Sequence, residues 1–372
     1  MLIKNAKMFR CDGTFEQAAI AVDGQRFATE STTGEEFDAK GCYAIPGLID
    51  LHIHGCVGYD FSDSDIDGVV KMTQFQASNG VSAICPTTLT LPEEQLTLAC
   101  GRIASTPVPN DGASIVGIHL EGPFLSPNKV GAQNPDYISP PNLDMFRRLQ
   151  DASGGLVKLL GIAPEIPGAM ELIDTLKDEI CCSLAHTTAD YDTALKALRH
   201  GVRQITHLFN AMPPLAHREP GVIGAAIDSP HCNVELICDG VHIHPAAVRA
   251  AFKLFGDERI VLISDSFMAA GLGDGTYELG RLKVKVKGNL AQLAEGETIA
   301  GSVTTLMGIV RIAVTQMNIP LGSAVKCASV NPAKALGIYD EHGSISPGKF
   351  ANLVLLNEDL SVNRVLLRGK FL

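Results

Sequence analysis

The sequence predicts an α/β protein, a (β/α)8 TIM-like barrel joined to a small β-sandwich domain that the N- and C-terminal segments form. Three observations lead to this prediction. Short apolar runs alternate with longer helical patterns from residue 48 onward, polar residues follow most of these runs, and both ends of the chain carry alternating strand patterns. A length of 372 residues accommodates one large barrel with a small appended domain.

Apolar, β-branched runs supply eight candidates for the strands of the barrel. Glycine follows the helical segments between them where a left-handed helix end is needed: Gly80 follows the helix predicted at Asp65–Asn79, and Gly201 follows the one predicted at Asp190–His200. Alternating strands and helices are typical of a parallel sheet, and this number of strands suggests a closed barrel. The predicted strands are Leu48–His52, Val81–Cys85, Ile115–Leu120, Val157–Ile162, Ile180–Ala185, Val202–Thr206, Asn233–Cys238 and Arg259–Ser264.

The two ends of the chain fall outside this rhythm. Residues 1–45 contain short alternating strands with a hairpin signal at Asp23-Gly24, and residues 340–372 contain further strand patterns. We therefore predict that 1–45 plus 340–372 form the small β domain and that 46–339 form the barrel. A further hairpin is predicted within 277–292, after the eighth strand.

Composition narrows the class of partner. The formal net charge is -11 and no block of Lys or Arg reverses it locally, which argues against nucleic acid and anionic lipid. No apolar stretch approaches the ~18 residues of a membrane span. A small anionic substrate stays open, because one arginine in a pocket outweighs a distant, screened net charge.

The ten cysteines are scattered and never form C-x-x-C, which argues against a thiolate zinc site and against a disulfide framework. The first residues lack the apolar stretch of a signal peptide. We expect a reduced, cytoplasmic protein.

Metal-competent side chains follow several predicted strands. In such barrels the active site lies at the carboxyl ends of the strands, and Glu121, His186 and His207 follow strands three, five and six. A single His or Glu at a strand end is more often an ordinary hydrogen-bonding residue, but their recurrence from strand to strand favours a metal site. Imidazole and carboxylate ligands suit Zn²⁺ or Fe²⁺, and three ligands with an open position are typical of a catalytic site.

The segment His52-Ile53-His54 follows the first strand and places both imidazoles on one face, which allows a shared metal. The alternative, with nearly equal weight, is that they line the barrel mouth as hydrogen-bonding partners. The sequence therefore leaves open whether one or two metals bind.

Asp265 follows the apolar run Val-Leu-Ile-Ser, which delivers its carboxylate to the mouth of the barrel. There it could take a proton from metal-activated water and pass it to a leaving amine. The alternative is a structural aspartate that caps a loop. Its position opposite the candidate ligands favours catalysis.

Several motifs occur in order along nearly the whole chain and resemble the amidohydrolase superfamily, within it the N-acetylglucosamine-6-phosphate deacetylases. The opening motif is shared across the superfamily. H-L-E-G-P-F is more telling, because many relatives use a carboxylated lysine where this chain has Glu121, and H-L-F-N-A-M followed by R-E-P-G is the most specific. The motifs are Pro46–Gly55, His119–Phe124, Ala185–Thr187, Thr206–Met212, Arg218–Gly221, Asp239–His242, Ser264–Asp265, Asn331–Ala333 and Gly348–Val354.

The resemblance implies hydrolysis of the acetamide of N-acetyl-D-glucosamine 6-phosphate to the free amine and acetate, in amino-sugar catabolism. It implies Glu121, His186 and His207 as metal ligands and Asp265 as the acid and base. The fork of donors on Arg218 suits a phosphate. The residues that match substrate-binding positions are Asn210, Ala211, Arg218 and His242, with Gln133, Asp239, Ile299, Ala300 and Gly301 less securely aligned.

The same resemblance implies a homodimer and one or two Zn²⁺ or Fe²⁺ ions per chain; some members replace the histidines of H-x-H, and this chain keeps both. Three alternatives stay open. A deacetylase for N-acetylgalactosamine 6-phosphate would use the same chemistry. An amidohydrolase acting on a cyclic amide would be expected to lack the R-E-P-G loop. A non-catalytic barrel would be expected to lose ligands, and every candidate is present.

Overall fold

A computed structural model describes all residues from 1 to 372, and its largest sheet is built from parallel strands around one barrel. Each barrel strand pairs in parallel with the next one along the chain, from the first to the eighth. The barrel strands are Leu48–Ile53, Val81–Thr88, Ile118–Glu121, Val157–Ile162, Cys181–Leu184, Gln204–Ile205, Asn233–Leu236 and Ile260–Leu262. They are almost wholly buried, as expected for a sheet covered by helices on its outer face.

The barrel closes between its first and eighth strands. Ile53 forms a parallel bridge with Ser266, and the backbone N–H of Asp265 donates to the carbonyl of His52 at 2.9 Å. The backbone N–H of His54 donates in turn to the carbonyl of Ser266 at 2.8 Å. Residues more than 200 positions apart in the chain therefore become neighbours at the barrel mouth.

Helices follow most strands and cover the outside of the barrel. The N-terminal residues Asp65 and Asp190 each cap a helix, with the side chain accepting from the backbone N–H of Gly68 and Thr193 at 2.8 Å. No helix is both long enough and apolar enough to cross a membrane. The α-helices are Ile66–Ser78, Glu93–Ser105, Leu143–Ala152, Ala169–Leu176, Tyr191–Arg199, Gly221–Ile227, Pro245–Phe255, Leu306–Thr315, Leu321–Ala328 and Val330–Ala335, with a 3₁₀ turn at Pro135–Tyr137.

Both ends of the chain contribute to one eight-stranded sheet. Strand Tyr43–Pro46 joins them, because it pairs in parallel with Leu2–Phe9 and antiparallel with Leu353–Leu356. This sheet has its own hydrophobic cluster of 13 residues, separate from the 88-residue core of the barrel. The remaining strands of the sheet are Phe15–Asp23, Arg26–Ala28, Glu36–Asp38, Val362–Leu367 and Lys370–Phe371. The predicted fold class, a barrel with a β unit built from the termini, is confirmed.

Two details differ from the strands predicted. The run that begins at Ile115 is split into two strands: Ser114–Ile115 pairs only with Val81–Thr88, whereas Ile118–Glu121 pairs with both of its neighbours in the barrel. The hairpin predicted within 277–292 is a three-stranded antiparallel sheet of Gly275–Leu279, Leu282–Lys287 and Leu290–Leu293. This insertion lies beside the barrel mouth.

One close contact between the terminal sheet and the barrel joins Gly13 to Gly322 in helix Leu321–Ala328. A β-carbon at Gly322 would lie 1.8 Å from the carbonyl oxygen of Gly13. Because that atom belongs to the backbone, we expect Gly322→Ala to lower the free energy of unfolding by about 1–3 kcal/mol, measured by urea denaturation. Gly101→Ala is the matched control, since the nearest atom would lie 3.7 Å away in the middle of a helix. It should raise stability by about 0.5–1 kcal/mol, and equal effects of the two changes would contradict this prediction.

Candidate active site

A cavity of about 300 Å³ opens at the carboxyl ends of the barrel strands. The three candidate metal ligands line it together with the candidate proton carrier, and residues from the inserted three-stranded sheet close one side. Of the residues predicted from the sequence, those that line the cavity are His54, Glu121, Gln133, His186, His207, Asn210, Ala211, His242, Asp265, Ile299 and Gly301.

The backbone turns sharply where the strands deliver their polar residues. His186, His207 and Asp265 have φ angles of 45°, 29° and 47°, in the left-handed region that residues other than glycine rarely adopt. Such conformations cost of order 1–3 kcal/mol each and persist where the surrounding structure enforces them. The turns direct the three side chains inward instead of along the strands.

The first group of donors consists of Glu121, His186 and His207. The Oε1 atom of Glu121 lies 3.2 Å from Nε2 of His186 and 3.0 Å from Nε2 of His207, and the two Nε2 atoms are 3.1 Å apart. All three side chains are at least 94% buried. Their ligand atoms lie close enough together to hold one cation.

The outer nitrogen of His186 is held by the backbone. Its Nδ1 lies 3.0 Å from the carbonyl oxygen of Lys129, which can only accept, so Nδ1 carries the proton. The tautomer that remains presents an unprotonated Nε2 to Glu121. A metal-ligating histidine needs this arrangement.

A second group, consisting of His52, His54 and Asp265, adjoins the first. Nε2 of His52 and Nε2 of His54 are 3.3 Å apart, and Oδ1 of Asp265 lies 3.5 Å and 3.3 Å from them. Glu121 contacts both groups, because its Oε1 is 3.4 Å from Nε2 of His52 and its Oε2 is 3.2 Å from Nε2 of His54. The two groups therefore share one carboxylate.

The titration of these groups reflects their mutual contacts. Burial by itself lowers the pKa of both imidazoles, but Glu121 and Asp265 outweigh it, so the pKa of His52 lies well above its usual value and that of His54 rises to about 9. Burial also opposes ionisation of the carboxyls, yet His52 and its neighbours hold the pKa of Glu121 well below its usual range and lower that of Asp265. The buried carboxylates thus require positive charge beside them.

These residues fit a divalent cation. Protons on the imidazoles balance the charge of the carboxylates when no metal is bound, and a bound cation would balance that charge while releasing those protons. Nitrogen and carboxylate oxygen ligands without sulfur suit Zn²⁺ or Fe²⁺. Three side chains per group leave positions for water and substrate. Hard cations such as Ca²⁺ prefer all-oxygen sites and fit less well.

Gln133 holds the shared carboxylate. Its Nε2 donates to Oε2 of Glu121 at 2.5 Å, and its Oε1 accepts from the backbone N–H of Thr90 at 2.8 Å. The second bond fixes the orientation of the amide, so that the amide nitrogen points at Glu121. Gln133 therefore lines the cavity and also orients a candidate ligand.

His242 lines the same cavity as the donor groups. Its Nδ1 is 2.7 Å from Oδ2 of Asp239, and the other oxygen of Asp239 accepts from the backbone N–H groups of Val241 and His242 at 2.9 Å. Burial lowers the pKa of His242, but the Asp239 carboxylate outweighs it and raises that pKa. Asp239 does not line the cavity and acts through His242.

Besides Asp239, two predicted substrate residues do not line this cavity. Arg218 is exposed and lines a separate cavity with Asp190 and Pro220, so the structure does not bring it to the donor groups within one chain. Ala300 is fully buried between Ile299 and Gly301, and only those two neighbours line the cavity.

Some residues of the site were not foreseen. The strand Asn233–Leu236 carries a fully buried Glu235 whose Oε2 lies 3.1 Å from Nδ1 of His52. A charged residue inside an otherwise apolar barrel strand was the signal that could have identified it. Leu279 and Thr298 also line the cavity, from the inserted sheet and the loop after it.

Comparison with known proteins gives consistent matches. The model of the amidohydrolase family matches residues 43–372. The chain is 36% identical to an N-acetylglucosamine-6-phosphate deacetylase from Bacillus subtilis, covering 99% of this chain and 96% of that protein. It is 34% identical to an N-acetylgalactosamine-6-phosphate deacetylase from Escherichia coli O157:H7, covering 87% of this chain and 86% of that protein.

A solved structure of a deacetylase also matches this chain over its full length. The N-acetyl-D-glucosamine-6-phosphate deacetylase of Mycobacterium smegmatis, studied as an aspartate-to-alanine mutant in complex with N-acetyl-D-glucosamine-6-phosphate, superimposes with a TM-score of 0.92 at 33% identity. The match covers 100% of this chain and 98% of that one. Both the barrel and the terminal sheet therefore have counterparts in that structure.

Proposed function

Because the chain belongs to the amidohydrolase family, we propose that it hydrolyses the acetamide of N-acetyl-D-glucosamine 6-phosphate to D-glucosamine 6-phosphate and acetate. The observation that carries the proposal is the cavity in which Asp265 faces Glu121, His186 and His207. Full-length similarity to deacetylases of this substrate supports the choice of sugar.

The proposal includes a divalent metal, Zn²⁺ or Fe²⁺, held by Glu121, His186 and His207. When bound, such a cation lowers the pKa of water and polarises the acetamide carbonyl. The second group, formed by His52, His54 and Asp265, supports a second ion beside the first.

Asp265 is the proposed proton carrier. It is ionised at neutral pH, and its backbone is anchored on both sides by hydrogen bonds with His52 and Ser302. Its carboxylate accepts a proton from the attacking water as the water oxygen adds to the acetamide carbon. It returns that proton to the amine nitrogen as the carbon–nitrogen bond breaks, so that acetic acid and a neutral amine form; the acid then gives its remaining proton to the amine or to water, which leaves acetate.

Other side chains orient the substrate. Gln133 keeps Glu121 in place, and Asn210, Ala211 and His242 line the cavity where the sugar phosphate would lie. Arg218, on its exposed loop, stays a prediction as a phosphate ligand.

His242 gives a sharp test of phosphate binding. With Nδ1 engaged by Asp239, the ring has Nε2 free to face the substrate, and a hydrogen bond to a charged group such as a phosphate contributes about 1.5–3 kcal/mol. We expect His242→Gln to raise KM by about 10- to 150-fold with a smaller change in kcat, measured by steady-state kinetics.

The control for that variant is His244→Asn. His244 is exposed and caps helix Pro245–Phe255 by accepting from the backbone N–H of Ala246, a bond that asparagine can replace. KM should stay within about twofold of the wild-type value, as usual for a surface change. An equal KM for His242→Gln and the parent enzyme would contradict the assigned role.

The activity itself is tested by acetate release from the 6-phosphates of N-acetylglucosamine and N-acetylgalactosamine, each with and without added Zn²⁺ or Fe²⁺. We expect release from the gluco substrate that rises with metal and is lost after chelation. Absence of release from both sugars would overturn the proposal. A preference for the galacto sugar would move the assignment to the sister activity.

The proposal also places the enzyme in the cytoplasm as a homodimer. All ten cysteines are free thiols, as a reducing compartment favours. Light scattering of the purified protein tests the dimer.

A further inference from the structure

Glu235 is a fully buried carboxylate directly behind the two donor groups. Its Oε1 accepts from Nε2 of Gln204 at 2.5 Å, and its Oε2 accepts from Nδ1 of His52 at 3.1 Å and from the backbone N–H of His207 at 3.2 Å. Glu235 does not line the cavity, so it cannot touch a substrate held there. Two of its three hydrogen-bond donors, His52 and His207, belong to the donor groups.

A buried charge requires a specific compensation. Transfer of an ionised carboxylate out of water costs several kcal/mol unless hydrogen bonds and an opposite charge offset it. Val234 and Leu236, its neighbours on the strand, are also fully buried and are apolar. The carboxylate at 235 is therefore retained for its contacts rather than for packing.

The four histidines of the two donor groups differ in what their outer nitrogen, Nδ1, contacts. Nδ1 of His52 faces the Glu235 carboxylate, Nδ1 of His186 faces only a neutral carbonyl, and Nδ1 of His54 and of His207 have no hydrogen-bond partner. A carboxylate on the outer nitrogen fixes the tautomer and strengthens the inner nitrogen as a ligand. His52 alone receives that support.

We propose that Glu235 is a positioning residue that, through His52, determines whether the second cation is retained beside the first. With Nδ1 held by the Glu235 carboxylate, the ring of His52 is oriented so that its Nε2 faces His54 and Asp265. The bond to the His207 backbone ties the same carboxylate to the first donor group. This inference rests on the proposed function, because it concerns the second metal of that site.

The test is Zn²⁺ binding by the metal-depleted full-length protein, followed by calorimetry and elemental analysis. The parent should bind two equivalents. Glu235→Gln keeps the size of the side chain and removes its charge, so it should bind the first equivalent normally and the second about 10- to 100-fold more weakly. A parent that binds one equivalent, or a variant that binds both equally tightly, would overturn the inference.

A double-mutant cycle with His52→Gln separates positioning from general structural support. If Glu235 acts through His52, Glu235→Gln should weaken cation binding no further in the His52→Gln background. Additive losses would contradict the inference. Glu165→Gln is the control, because its carboxylate accepts from Thr187 and Thr188 and contacts no imidazole; it should keep the second equivalent.

Should Glu235→Gln prove insoluble, Glu235→Asp keeps the charge but withdraws it by one methylene. Selective weakening of the second equivalent supports the inference, and equal weakening of both equivalents contradicts it. Acetate release by the parent enzyme is measured in parallel. Its absence would count against the proposed function, whereas an active parent with an unchanged variant would count against the role of Glu235 alone.

Discussion

Asp265→Asn should reduce kcat by about 10²- to 10⁴-fold, because the amide cannot accept the proton of the attacking water. The substitution keeps the size of the side chain and an oxygen that can face His52 and His54. We therefore expect the cation held by Glu121, His186 and His207 to remain. Acetate release and elemental analysis on the same preparation measure both effects.

The matched control is Asp63→Asn. Asp63 is an exposed carboxylate that lines a neighbouring cavity and has no contact with the donor groups. Its kcat should stay within about twofold of the parent value, as for substitutions away from special features. Retention of more than a tenth of parental activity by Asp265→Asn would exclude it as the proton carrier.

Glu121→Ala should reduce acetate release by a similar factor, but through loss of the bound metal. The Glu121 carboxylate contacts both donor groups, within 3.4 Å of each, so its loss removes a shared ligand and the carboxylate that faces His186 and His207. We expect metal content and acetate release both to fall to the level of the chelated parent. Excess Zn²⁺ should restore little of either.

Thermal unfolding adds an independent measure of Glu121→Ala. Addition of Zn²⁺ should raise the Tm of the parent, because a ligand that binds only the folded state stabilises it, and should hardly shift the Tm of the variant. Glu179→Ala serves as control, since it removes only an exposed ion pair with Arg147. A variant with a normal metal content would contradict the bridging role.

Local patterns were enough to locate the barrel strands. Apolar, β-branched runs bounded by glycine and polar residues mark all of them to within a few residues, and Val157–Ile162 was located to the residue. The sixth strand was predicted too long. Its observed span is Gln204–Ile205, because His207 turns out of the sheet at a left-handed φ that no pattern in the run announces.

The contacts within the site depend on the closed shape of the barrel. The sequence predicts His52 and His54 on one strand face and Asp265 on another strand, and the contact between them follows from the bridge between Ile53 and Ser266 where the barrel closes. The role of Glu235 could not be predicted from its own strand, because its hydrogen-bond donors come from other strands, one of them 183 positions away in the chain. Alternation within a single strand cannot report such a contact.

Arg218 illustrates a different limit. Its residue type and its loop suggested a phosphate ligand, yet the loop lies exposed beside another cavity. The direction in which an exposed loop projects depends on contacts that local sequence does not encode. Its role therefore stays a prediction.

The left-handed backbone at His186, His207 and Asp265 is a place where thermal stability and catalytic activity favour different residues. Asparagine tolerates this conformation better than most residues, and glycine adopts it freely. Asp265→Asn should therefore be at least as heat-resistant as the active enzyme. A laboratory evolution campaign that selected for heat resistance alone would favour such inactive replacements, so selection for a hardier catalyst has to score turnover in every round.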